Sequence, residues 1–199
     1  MSLFKKLFGN NKNPANFMVA TLNDKIMPLD RGVVYEDPLN VLIQAKGIGE
    51  VTGGGTMQHE NGEIDFCDVE IRLNTDKISQ EEIQIVIDKL EELGAPKGSK
   101  LRVEKTDQMI EFGKLEGLGI YLDGINLSDE VYTNSNSEAL ANEIIRLAKI
   151  KSKVIRYWQG NTETGLYFYG ESFDNIKNSI SEFVESSPDC ENARIERVA

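Results

Sequence analysis

The strongest constraint on this chain is an order of elements that the sequence runs through twice. Residues 17–22 read as a strand. Asp37-Pro38 reads as a helix start, with Asp as the cap and Pro at the first helical position. Leu39, Leu42 and Ile43 give that helix its apolar stripe, and Gly47 ends it. Residues 50–58 read as a glycine-rich strand and Asn61-Gly62 as a hairpin turn. Residues 64–73 follow as a strand, with Cys67, Val69, Ile71 and Leu73 on one face. Ser79 and Glu82 form a capping box ahead of the stripe Ile83, Val86, Ile87 and Leu90. Gly94 and Pro96 stop that helix, and Leu101 and Val103 mark a strand. The second pass reads as strand 118–122, helix 139–148, strand 153–159, a turn at Gly160-Asn161, strand 164–169, helix 172–184 and strand 194–198.

Each pass is β-α-β-β-α-β, the split β-α-β order of ferredoxin-like domains. The expected fold is therefore α+β: a tandem duplication with two four-stranded antiparallel sheets and two helices on each. The expected divisions are a leader at 1–15, a first repeat at 16–106 and a second at 107–199. A short residue match supports duplication: Leu22, Asp24, Ile26, Leu29 and Val34-Tyr35 against Leu122, Asp123, Ile125, Leu127 and Val131-Tyr132. In the leader, Leu3, Phe4, Leu7 and Phe8 follow helical spacing beside Lys5 and Lys6, read as a mobile tail or a weak amphipathic foot.

Two helices cover one face of such a sheet and leave the other free or in need of a cover. In the first repeat the free face carries Asp68, Glu70, Arg72, Arg102 and Glu104 and can stand in water. In the second it carries Arg156, Trp158, Tyr167 and Tyr169, with Arg194 and Glu196 nearby. Tyrosine, tryptophan and arginine bury area while keeping polar tips, and they dominate binding hot spots. These side chains, with Glu163 in the connecting turn, are the candidate partner-binding set. The competing reading is that the two halves pack on each other here.

Charge narrows the partners. With 33 acidic against 22 basic residues the net charge is −11, and no basic stripe of the kind that tracks phosphates is visible. The expected partner is another protein, a basic one being suited by charge, and not nucleic acid. No apolar run reaches the roughly 20 residues of a membrane span, and the start lacks a signal-peptide pattern, so a cytoplasmic chain is expected. Cys67 and Cys190 are too far apart in sequence for a metal knuckle and too few for a disulfide framework; both read as reduced thiols.

No motif carries a complete chemistry. Gly53, Gly54, Gly55 and Thr56 are the candidate ligand-binding run, but a phosphate loop would carry a lysine and open a helix, and this run leads into a hairpin. Glycines inside a strand more often mark a bulge or close approach of another backbone. His59, the single histidine, stands at a turn beside Glu60 with no nucleophile signature around it. Asp65, Asp68 and Glu70 could hold a hard cation, or could simply pair with Arg72 and Arg102 across strands. No catalytic residue, cofactor or metal is assigned.

Residues 49–56 and 162–170 resemble segments of uncharacterised bacterial proteins, and the start Met1–Phe8 is similar to those of many bacterial proteins. That resemblance implies no activity and no site. The function expected is a non-catalytic protein-binding module, by compositional analogy with toxin-neutralising immunity proteins. The alternatives are a small-molecule-binding protein or enzyme with its site in the groove between the repeats, and an assembly role through open sheet edges.

Overall fold

The computed structural model describes residues 16–152 and 154–199; the leader expected at 1–15 lies outside them. In the first half, six strands form one antiparallel sheet: β1 (Phe17–Leu22), β2 (Gly49–Gly53), β3 (Thr56–Gln58), β4 (Ile64–Leu73), β5 (Ser99–Val103) and β6 (Gln108–Phe112). Their order is β2-β4-β1-β5-β6, and β3 lies on β4 beyond the end of β2. Three helices belong to this half: α1 (Pro28–Arg31), α2 (Asp37–Ala45) and α3 (Gln80–Glu92). The second half has β7 (Glu116–Asp123), α4 (Asp129–Asn134), α5 (Ser137–Leu147), β8 (Arg156–Gln159), β9 (Glu163–Gly170), α6 (Phe173–Ser186) and β10 (Arg194–Arg197). Its sheet runs β10-β7-β9-β8, all antiparallel. The chain is thus a tandem duplication of a ferredoxin-like unit.

Alternation on the strands builds a separate core in each half. Met18, Ala20 and Leu22 of β1 and Cys67, Val69 and Ile71 of β4 pack on Leu39, Ile43, Ile83, Val86 and Leu90 from the helices. Leu118 and Ile120 of β7 and Leu166 and Phe168 of β9 pack on Leu140, Ile144, Ile176 and Ile180. A third cluster holds Tyr121, Tyr167 and Tyr169, on the opposite face of the second sheet.

Several elements differ from the sequence expectation. The first helix does not begin at Asp37: helical backbone starts at Pro28 and passes through a π-helical stretch at Gly32–Glu36, so Asp37 lies inside the helical run and is not its N-cap. Pro38 lacks the N–H that an α-helical turn would use, and the wider turn before it accommodates that loss. The glycine-rich strand is broken into β2 and β3 by a bulge, with register shifts against β4 on both sides. Strand β6 was not foreseen. It pairs with β5, so the expected division at 106/107 falls inside that hairpin, and the change of sheet comes at Gly113–Leu115. The short helix α4, capped by Ser128, was not foreseen either. The connection between the halves is tied down: Lys97 N donates to Leu115 O at 2.8 Å and Lys114 N to Ala95 O at 3.1 Å.

Candidate functional site

The aromatic face is built by cross-strand pairing of tyrosine with glycine. Opposite pairs along β7 and β9 are Gly117 with Tyr169, Gly119 with Tyr167 and Tyr121 with Gly165. The glycines leave room for rings to lie over the strands: a Cβ on Gly117 would come within 2.8 Å of Tyr169, and one on Gly165 within 2.5 Å of the Tyr167 hydroxyl. Arg156 and Trp158 of β8 stand on the same face, opposite Tyr167 and Gly165.

Most of this face is withdrawn from solvent. It meets the β1–α1 connection and the β3–β4 hairpin of the first half, through two polar knots. In the first, Arg156 grips Asp24 with Nε to Oδ1 at 2.6 Å and Nη2 to Oδ2 at 2.9 Å; the side chains are 5% and 0% exposed. Tyr35 donates to Asp24 Oδ2 at 2.7 Å, and the guanidinium lies 5.2 Å from the centre of the Tyr169 ring. Burial works against the arginine's charge, but Asp24 outweighs it and the proton is held more tightly than usual. Burial, then the charge of Asp24, pushes the Tyr35 hydroxyl well above the ordinary phenol range, so it stays a neutral donor.

The second knot forms around Glu63 at the hairpin. Its Oε1 accepts from Tyr121 and Tyr167 hydroxyls, both at 2.9 Å, and lies 3.0 Å from Lys25 Nζ. Lys25 Nζ also donates to Ile64 O at 2.7 Å, and its backbone N–H donates to the Tyr169 hydroxyl at 3.0 Å. Burial alone would raise the Glu63 carboxyl, but the donors from Lys25, Tyr121 and Tyr167 win and hold it below its usual value. Trp158 Nε1 donates to Asn61 O at the hairpin tip, 3.2 Å away. A third link uses Glu116, which bonds Lys97 of the first half at 2.8 Å, Phe173 N at 2.7 Å and Arg197 at 2.9 Å. Lys97 first, then those partners, hold its carboxyl down at about 2.

Arg156, Trp158, Tyr167 and Tyr169 of the candidate partner-binding set therefore come together, but against the chain's own first half. Arg156, Tyr167 and Tyr169 are buried, Trp158 is half-buried, and Glu163 is paired with Arg194 of β10 at 3.0 Å. Tyr121 belongs to this face and was missed, although its pairing with glycine echoes that of Tyr167 and Tyr169.

The run Gly53–Thr56 lies elsewhere, at the bulge between β2 and β3. Buried Arg31 fills the space beside it, donating to Gly55 O at 2.6 Å and Thr56 Oγ1 at 2.9 Å while its Nε bonds Glu36 at 2.7 Å. A Cβ on Gly54 would stand 1.8 Å from the Asp68 carbonyl oxygen, so that glycine marks close approach of backbone. Asp68 itself accepts from Thr21 at 2.7 Å. His59 is exposed at the turn, 3.6 Å from Asp65. Among the described residues no three His, Cys, Asp or Glu side chains converge in a way that could hold a metal ion. Cys67 and Cys190 are free and buried, and burial raises both thiols.

A groove does form where the halves meet. Its volume is about 600 Å³, against about 280 Å³ for the hollow beside Asp123. The first half contributes Val34 and the end of α3 (Glu91 to Gly94), and the connection contributes Leu115. The second half supplies residues 148–152 after α5, the end of β9 from Tyr169, and Asn175, Ile176 and Ser179 of α6. One end of the groove reaches the first polar knot, since Ser152 accepts from Arg156 Nη1 at 3.2 Å and Tyr169 lies under that guanidinium. None of Gly53 to Thr56 lines it.

No protein-family model and no curated protein matches the chain. Several solved structures are similar over 92% of its length. They include the first two RRM domains of yeast poly(U) binding protein (12% identity, 99% of that chain, TM-score 0.24). RNA recognition domains 1 and 2 of Drosophila melanogaster Sex-lethal also match (12% identity, 98% of that chain, TM-score 0.27). So does a candidate monooxygenase of Lactobacillus acidophilus (9% identity, 94% of that chain, TM-score 0.27). The expectation about partners is corrected on this finding. Two pairs of RNA recognition domains stand among the similar structures, against the expected exclusion of nucleic acid, and no comparison supports a protein partner. The net charge behind that expectation describes the whole surface, whereas a partner meets one face of it. TM-scores this low carry nothing about what this chain itself binds. Among the described residues no helix is long and apolar enough to cross a membrane.

Proposed function

We propose that the chain binds a small molecule in the groove between its two halves. One observation carries this reading: the groove of about 600 Å³ drawn from both halves and their connection. Ligand sites of about 300–1,000 Å³ form preferentially at such junctions, with apolar walls and a few convergent polar groups. Val34, Leu93, Leu115, Ile150 and Ile176 supply apolar wall here, and Ser152, Ser172 and Asn175 supply polar atoms. The aromatic face, which would otherwise suggest a different role, is already occupied within the molecule.

A ligand-observed NMR screen of metabolite and fragment mixtures tests the reading. Ser179 is exposed and lines the groove, so Ser179→Trp fills the space without touching either core. Lys177→Trp, on the same helix but outside the groove, is the control. The expected outcome is that true hits lose at least about tenfold in affinity with Ser179→Trp and keep it with Lys177→Trp, tenfold being ~1.4 kcal/mol. Hits indifferent to both substitutions, or no hits at all, would reject the groove as the site.

A further inference from the structure

The charges around the groove are unequal in a way its volume does not show. Glu91 and Glu92 line it, but both are committed: Glu91 to Lys114 at 2.6 Å and to Gly113 N at 3.1 Å, Glu92 to Lys89 at 3.0 Å. Lys151 and Glu171, which also line the groove, pair at 3.5 Å with both side chains almost fully in solvent. Lys149 is different. It follows α5 in a left-handed conformation, with φ of 53°, and it has no ion-pair partner among the described residues. In a chain of net charge −11, the charge left uncommitted in this groove is a cation. The first turn of α6 does not compete for an anion, because Phe173 N is taken by Glu116 and Asn175 N by the Ser172 hydroxyl.

We infer that the groove takes an amphipathic small molecule whose anionic head, a carboxylate or phosphate, is held by Lys149 while its apolar body lies along Leu115, Ile150 and Ile176. This rests on the groove reading above and adds the chemical class of the ligand. An isolated lysine on an open surface gains little from a passing anion, because water and salt screen the pair. Beside an apolar wall the same contact is reinforced: the body removes apolar area from water and brings the head to the ammonium.

Octanoate and its neutral counterpart 1-octanol are the probes, with acetate and inorganic phosphate as heads without a body. Each is titrated into the full chain while backbone amide shifts are followed by NMR. Octanoate is expected to shift the amides of residues 148–152 and 176 saturably and to bind at least about tenfold more tightly than octanol, the share of one charge-assisted hydrogen bond. Lys149→Gln is expected to remove most of that difference without changing the affinity for octanol. Equal binding of octanoate and octanol, unaltered by Lys149→Gln, would overturn the inference and leave the groove reading standing. Acetate or phosphate binding as tightly as octanoate would overturn it too, since the apolar body would then contribute nothing. No saturable shift in the groove from any probe also overturns it; the wider screen with Ser179→Trp judges the groove separately.

Discussion

Glu63 shows how much of this molecule rests on single side chains placed far from their partners in sequence. Its carboxylate sits between Lys25 of the same half and Tyr121 and Tyr167 of the other, and those donors hold its proton affinity below the ordinary 4.5. A carboxyl lowered on folding stabilises the folded state above its ordinary value, and that contribution is lost as pH falls through the lowered one. The contribution of Glu63 is therefore complete at neutral pH and fades below about pH 4.5. Glu63→Gln keeps an acceptor for the two hydroxyls but leaves Lys25 without its acid. At pH 7 it is expected to cost about 1–3 kcal/mol of stability, in the range for a charged hydrogen bond broken on one side. The gap between the two proteins should narrow as the pH falls from 6 to 3, because protonation removes from the native chain what the substitution has already removed. Urea midpoints across that pH range measure the gap. A gap independent of pH would mean that the carboxylate's charge does not contribute to docking.

At the scale of elements, local chemistry and long-range packing leave different traces. The glycine run is the clearest case. As sequence it resembles a loop that cradles a ligand; in the fold it is a bulge with Arg31 beside it and the Asp68 backbone against Gly54. Gly54→Ala should therefore destabilise by about 1–3 kcal/mol, the usual cost of forcing atoms into filled space, and leave affinity in the groove unchanged. Thermal melts and the octanoate titration report the two effects separately; a loss of affinity with unchanged stability would return the run to the list of ligand sites. Elements that obey short-range rules were readable: the Ser79–Glu82 box caps α3 in both directions, and Asn61-Gly62 makes the hairpin turn with Gly62 at a φ of 84°. Elements that break those rules were not. Asp37-Pro38 imitates a helix start because nothing local announces a π-helical turn before it, and the turn into β6 uses Asp107 at a φ of 53°, where glycine would have been the plain signal. The candidate site divides the same way. Alternation identified the face of Arg156, Trp158, Tyr167 and Tyr169, whereas its cover depends on Asp24 and Glu63, 132 and 104 residues away from Arg156 and Tyr167. The groove draws on five separate stretches of chain, and no period in the sequence records that meeting.

For the whole molecule the decisive question is whether two sheets with separate cores behave as one body. Their contact is unusually polar, with Asp24 and Arg156 wholly or nearly buried and Glu63 and Lys25 close behind. A buried pair is weak evidence of net stabilisation, but removing one partner strands the other charge out of water, at a cost of about 3–5 kcal/mol. Arg156 lies on the edge strand β8 with its guanidinium toward the first half, so that cost should fall on docking before it falls on either sheet. Trp158, the single tryptophan, reports docking directly because its indole is bonded to Asn61 across the contact. In the native chain its fluorescence and the far-ultraviolet circular dichroism should change together with urea, as one cooperative transition. In Arg156→Ala the fluorescence should change first, with the halves parting while their helices persist, and the groove probe should lose affinity in step with the fluorescence, since both halves line the groove. Trp158→Phe in the same background removes the fluorescence signal and should leave the dichroism transition in place, which checks that the early change is the indole's. Coincident transitions in Arg156→Ala, merely shifted to lower urea, would assign the ion pair to the stability of a single folding unit, and the docking of two halves would cease to be a separable step.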